Sequence, residues 1–270
     1  MLEIKDLSKT FFPHTVNEVR ALKSVGLKIG EGSFTAVIGT NGSGKSTLLN
    51  AIAGTFRPDT GSITLDGYRI DQWPEFKRAG LIGRVFQNPF AGTAAEMGIA
   101  ENIVMAMRRG RSHPLRIAVT AKVKEEIAER VRTLKMGLED RLDNPIGTLS
   151  GGQRQALTLL MATWLRPKLL LLDEHTAALD PKSAAKVAEL TKQIIEQEKL
   201  TALMVTHSMQ QAVDLPDRIV MMHRGQVVED FQDAAKKRIR VHDLMDTFDR
   251  VQKRELFDES VASLLYEQYC

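Results

Sequence analysis

The chain has 270 residues, enough to bury a full core, and its 43% apolar and 26% charged residues are ordinary for a globular protein. Its 37 basic residues face 34 acidic ones, and the resulting formal charge of +3 gives no case for a nucleic-acid partner. A single cysteine, Cys270, excludes an internal disulfide and a cysteine-based metal site, and it fits a reducing compartment.

The chain begins MLEIKDLSKTFF, with charges at positions 3, 5 and 6, so it does not read as a secretory signal. LEI (2–4), VGLKI (25–29) and SITLDG (62–67) alternate apolar and polar residues, which predicts an antiparallel sheet with one wetter face. FTAVIG (34–39), LLLLD (169–173), ALMVTH (202–207) and RIVMMH (218–223) are nearly continuous apolar runs, the pattern of strands covered on both faces. Between Asn88 and Trp164 helical patterns dominate. There Val119, Val123, Ile127, Val131 and Leu134 recur at helical spacing, with Gly137 expected to close the helix. RRGRSHPLR (108–116) reads as a basic loop, and Gln153–Leu165 as a helix stopped before Pro167. Past Val228 the chain reads as polar and helical, ending VASLLYEQYC. No apolar run approaches the roughly 20 residues that cross a bilayer. The pattern is α/β: a core from 1–87 and 165–230 with an antiparallel β subdomain, a helical lobe at 88–164, and a helical extension at 231–270.

The chemistry concentrates in a few stretches. GTNGSGKST (39–47) follows a predicted strand and precedes a helix, the context a phosphate-binding loop requires. Its glycines, Gly39, Gly42 and Gly44, let backbone N–H groups converge on phosphate, with Asn41, Ser43 and Thr47 in the same cradle. Lys45 can reach the β- and γ-phosphates, and the Ser46 hydroxyl can ligate Mg²⁺. Hydrolysis further needs a metal carboxylate and a group that activates water; LLLLDE supplies Asp173 for the first and Glu174 for the second. His207, at the end of MVTH, is placed to sense a γ-phosphate.

Taken in order, GTNGSGKST, VFQNP, LSGGQ, LLLLDEHTAALD and MVTH resemble the ATPase subunit of ATP-binding cassette (ABC) transporters over roughly residues 2–230. The resemblance implies a P-loop NTPase (RecA-like) core, ATP with Mg²⁺ as cofactors, and ATP hydrolysis coupled to transport. It implies that Phe11 stacks on adenine, with Phe12 as the alternative, and that Gln87 touches Mg²⁺ and the attacking water. It places Ser150, Gly151, Gly152 and Gln153 against the γ-phosphate of a second subunit, and Asp180 in a loop communicating across that dimer. Bare N–H groups at a helix start suit an anion, which agrees with this placing of LSGGQ. His175 stands where the family often has proline. The implied partners are a second ATPase subunit, membrane permease subunits and an exported substrate-binding protein, with the chain peripheral on the cytoplasmic face of the inner membrane. An importer of amino acids or similar small solutes is the leading reading; the alternative is a soluble ABC ATPase of the iron–sulfur assembly type. A P-loop kinase or GTPase leaves LSGGQ unexplained, and no Asn-Lys-x-Asp sequence is present.

Overall fold

A computed structural model describes residues 1–110, 119–251 and 253, so most of the basic loop and the VASLLYEQYC segment lie outside the described residues. Strands β1 (Leu2–Phe11), β2 (Val19–Ile29), β4 (Thr60–Leu65) and β5 (Tyr68–Arg69) form an antiparallel sheet in the order β2-β1-β4-β5. Strands β3 (Phe34–Gly39), β6 (Ile82–Val85), β7 (Leu169–Asp173), β8 (Ala202–Val205), β9 (Arg218–His223) and β10 (Gln226–Phe231) form a second sheet, β10-β9-β3-β8-β7-β6. Its first five-strand run from β9 to β6 is parallel, and β10 returns antiparallel to β9.

The parallel strands are mostly apolar because side chains alternate between two covered faces. Val37, Leu169, Leu171, Leu203, Val205, Val220 and Met222 enter one core, shared with the antiparallel sheet and helix α1 (Lys45–Ala53). Ala36, Ile38, Leu170, Leu172, Met204, Ile219 and Met221 enter a second core on the opposite face. Helices α6 (Pro181–Glu198) and α7 (Met209–Asp214) pack there, with Leu244 and Phe248 from a helical run over 241–251. A third cluster joins α3 (Ile99–Met107), α4 (Ala121–Arg132) and α5 (Gly151–Thr163); its buried members run from Ile99 to Trp164. The α/β expectation holds, with a parallel core sheet, an antiparallel sheet and intervening helices.

Several local expectations are corrected. β10 occupies 226–231, where the polar sequence suggested helix; most of its residues are exposed, which hides the strand pattern. Helix α4 ends at Arg132, and Lys135 takes the left-handed conformation (φ 52°) before Gly137 is reached. Helix α5 starts at Gly151, two residues earlier than Gln153. β8 ends at Val205, so His207 lies in the following turn.

Helix α1 is capped by a side chain from another element. Its last carbonyls need donors, and the fully buried Arg78, at the end of α2 (Glu75–Arg78), supplies them. Arg78 Nη1 donates to Ala51 O at 2.6 Å and Ile52 O at 2.8 Å; Nη2 donates to Asp71 O and Nε to Trp73 O, both at 3.0 Å. Gly54 (φ 93°) permits this approach, since a Cβ there would lie 2.7 Å from Arg78 Nε. Arg78→Met should therefore cost about 3 kcal/mol by leaving buried acceptors unpaired, measurable as a lower urea midpoint with unchanged slope.

Candidate nucleotide site

The phosphate-binding loop runs from Gly39 at the end of β3 to Gly44, the N-cap of α1. Gly42 (φ 77°) and Gly44 (φ 98°) adopt conformations that side chains resist. The loop is braced from outside: Gly225 N–H donates to Ser43 O at 3.0 Å, and Lys23 N–H donates to Gly225 O at 2.9 Å. Lys45 bends back across the loop, its Nζ donating to Gly39 O and Thr40 O at 2.9 Å each. Burial pulls the Lys45 ammonium below its usual pKa, while Glu174 and Asp173 oppose the shift. Ser43 Oγ is buried inside the loop without a hydrogen-bond partner. The loop thus holds a cation and an unmatched hydroxyl around a space bounded by backbone. Ser46 and Thr47 follow in the first turn of α1, Ser46 exposed.

Asp173 ends β7, and Glu174 follows with φ 43°, its N–H donating to Val205 O at 2.9 Å. Burial raises the Asp173 pKa, against the lowering influence of Arg84 and Lys45. Glu174 Oε2 accepts from Gln87 Nε2 at 3.1 Å and lies 3.2 Å from His207 Nδ1. Three residues from three separate loops therefore meet at one carboxylate. Asp173, Glu174 and Lys45 share one electrostatic neighbourhood. Among the described residues no cluster of three His, Cys, Asp or Glu side chains could hold a metal. A hard cation such as Mg²⁺ is commonly held by one carboxylate with substrate phosphates, and Asp173 offers a carboxylate in the same neighbourhood as Lys45.

The other motif residues have local structural work. Ser150 is the N-cap of α5: its Oγ accepts from Gln153 N–H at 3.3 Å, and its N–H donates to Gln153 Oε1 at 3.1 Å. Gly151 and Gly152 form the first turn, and a Cβ on Gly152 would lie 2.9 Å from Ser183 Cβ at the start of α6. Ser150, Gly152 and Gln153 line a shallow pocket with Met136, Ser183 and Lys186; no residue of the phosphate-binding loop joins them. Asp180 caps α6, its Oδ1 accepting from Ser183 N–H at 3.0 Å. Phe11 ends β1 with its ring edge-on to Phe56 at 5.3 Å, whereas Phe12 is 66% exposed with φ 50°.

Two side chains near the site have roles the sequence did not assign. Arg84 on β6 lies 3.3 Å from Asp173. His175 has no motif role, but it is buried and its Nε2 lies 2.9 Å from Thr191 Oγ1 on α6. Because the Thr191 hydroxyl donates to Val187 O at 2.8 Å, it accepts from His175, which fixes the Nε2–H tautomer. The only signal in the sequence was the histidine standing in place of proline.

A phosphate-binding loop at the end of a central parallel strand, with an Asp–Glu pair ending the second strand over, defines a P-loop ATPase. The ABC transporter family model matches residues 22–177, and the chain belongs to the ABC transporter ATPases. It is 40% identical over 250 residues to the tyrosine transport ATP-binding protein of Clostridioides difficile (strain R20291), covering 92% of this chain and 99% of that one. It is 33% identical over 233 residues to the energy-coupling factor transporter ATP-binding protein EcfA2 of Ligilactobacillus salivarius (strain UCC118), covering 85% and 78%. A solved dimeric ATP-binding cassette in a post-hydrolysis state with ADP and Pi superposes with a TM-score of 0.73 at 27% identity, covering 86% of this chain and 98% of that chain.

Burial depresses the His175 pKa from 6.5 to about 4. Between those values the unfolded chain binds the proton and the folded chain does not, so stability is full above 6.5 and falls as pH drops toward 4. The loss amounts to about 3 kcal/mol. His175→Asn should remove that part of the pH dependence, read as a shallower slope of unfolding free energy between those pH values.

Proposed function

We propose that the chain is the ATP-hydrolysing subunit of an importer for an amino acid or a similar small solute. The carrying observation is the convergence of Gln87 and His207 on Glu174, beside Lys45 and Asp173. In this reading Glu174 is the general base for the attacking water, with Gln87 orienting both; His207 reads the γ-phosphate. Lys45 leaves the Gly39 and Thr40 carbonyls to bind the β- and γ-phosphates, so the loop is preassembled for an anion. Asp173, Ser46 and Gln87 would hold Mg²⁺, which when bound neutralises charge on the phosphate oxygens. Phe11 is the adenine-stacking residue; its contact with Phe56 already fixes the ring.

Ser150, Gly151, Gly152 and Gln153 serve the γ-phosphate of a second copy, with Asp180 at the contact between subunits. Their separation from the phosphate-binding loop of their own chain supports that reading, as does the dimeric cassette the fold resembles. Closing two such chains on two ATP molecules, and reopening them after hydrolysis, is the motion that drives transport.

That motion needs a membrane partner, because among the described residues no helix is long and apolar enough to cross a bilayer. A cleft of about 350 Å³ between α2, β6, α3 and α5 is lined by Ala79, Ile82, Phe86, Met105, Ala106 and Met161. Phe76, Phe90 and Met105 stand exposed. This apolar surface, next to Gln87, is the proposed seat of a permease helix at the cytoplasmic face of the membrane. Similarity to a tyrosine transport protein over nearly the whole chain favours an amino acid as cargo. The two relatives named above are transport ATP-binding proteins, which favours transport over a soluble assembly factor.

Glu174→Gln should retain ATP binding, lose hydrolysis by about 10²- to 10⁴-fold and accumulate as dimer in gel filtration; wild-type turnover would remove Glu174 as base. In the same assay Ser150→Arg should bind ATP as a monomer and fail to dimerise. Normal dimers would end the cross-subunit reading. Lys45→Ala should weaken nucleotide binding in fluorescence titrations, and an unchanged affinity would contradict the loop assignment.

A further inference from the structure

Arg84 lies on β6, two residues before Phe86 and three before Gln87. Its Nη2 donates to Asn50 Oδ1 on α1 at 2.6 Å and lies 3.3 Å from Asp173 Oδ2. Nη1 is 3.4 Å from Thr55 Oγ1, just past α1. The guanidinium also lies over the Phe86 ring, 4.6 Å from its centroid. Both charges of the Arg84–Asp173 pair are mostly withdrawn from water, with side-chain exposures of 14% and 16%.

Withdrawing two charges from water is costly, so such a pair persists when each neutralises the other. The second cation of the site, Lys45, is engaged with the carbonyls of Gly39 and Thr40. Arg84 is therefore the cation in contact with the Asp173 carboxylate. One nitrogen, Nη2, bridges two elements at once, bonding Asn50 on α1, the helix that starts at Lys45, and lying against Asp173 at the end of β7.

We propose that Arg84 is a positioning residue that acts as the resident counter-ion of Asp173, tying this carboxylate to α1 and competing with a divalent cation for it. The inference rests on the reading of Asp173 as the metal carboxylate. It has two consequences of opposite sign. A divalent cation at Asp173 works against a fixed positive charge, so removing that charge strengthens metal binding. The same removal frees the carboxylate from α1, so turnover falls. A side chain with only a packing role would weaken both together. Because Arg84 also lines the cleft between the lobes, a partner seated there lies one side chain from the carboxylate.

The test is a Mn²⁺ titration of the full-length protein with ADP, followed by electron paramagnetic resonance, alongside steady-state ATPase assays in saturating Mg²⁺. Arg84→Met should bind Mn²⁺ about three- to tenfold more tightly, as expected for losing one nearby positive charge, and should show a lower kcat. Arg84→Lys, which keeps the charge, should restore wild-type Mn²⁺ affinity. Arg84→Gln, which keeps a donor for Asn50, is the second charge-removing variant if the methionine variant does not fold. Unchanged or weaker Mn²⁺ binding in folded Arg84→Met or Arg84→Gln would overturn the counter-ion role. Asp173→Asn separates the two readings: it should lose Mn²⁺ affinity, and unchanged affinity would remove Asp173 as metal carboxylate and the proposal with it.

Discussion

The site depends on a parallel sheet buried on both faces. Strands that run in one direction end along one edge, and every chain leaving that edge must turn where the cores stop. Gly39 and Asp173 are strand-end residues of this kind, and Glu174, Gln87 and His207 are within two residues of others. Their meeting does not need an attraction between them. It follows from Leu, Val, Ile and Met side chains alternating into two cores that fix strand height and register.

Within that edge, buried charges stand beside an unpaired hydroxyl. Lys45 is buried and bonds carbonyl oxygens, which satisfy its donors without neutralising its charge. Ser43 Oγ has no partner, and the Asp173 carboxylate is disfavoured by burial. Each of these costs stability in isolation. Together they suit a site that takes an anionic ligand, while the positive φ angles of Gly42 and Gly44 account for glycine in the loop.

The helical segment meets this edge through apolar packing of Leu159 and Ala162 on α5 against the core, and through contacts that are polar or made by a glycine. Gln155 Nε2 on α5 donates to Phe86 O at 3.1 Å, next to Gln87, whose side chain reaches Glu174. Gly152 brings the start of α5 against Ser183 at the start of α6. Arg154, buried one turn into α5, donates to Gly147 O and Leu149 O and lies 3.6 Å from the Phe90 ring centroid. Helix α5 thus holds both the LSGGQ turn and the segment after Gln87. A displacement of the lobe acts on both.

Much of this was legible in the sequence, because the strongest signals are local. Four of the five parallel strands, β3, β7, β8 and β9, announced themselves by nearly continuous apolar runs, since burial on both faces leaves few polar positions. The phosphate-binding loop was readable because only glycine tolerates its backbone. β10 was not, since an exposed edge strand carries polar residues that look helical. Nor was the end of α4, where Lys135 rather than a glycine turns the chain. The sequence alone determined the chemical inventory: cradle, carboxylates, histidine and the LSGGQ turn. Only the tertiary structure decided that Gln87 and His207 meet at Glu174, that Arg84 faces Asp173 and that His175 bonds Thr191. Those contacts join residues far apart in the chain, and they are set by sheet order and helix packing, which no local pattern encodes.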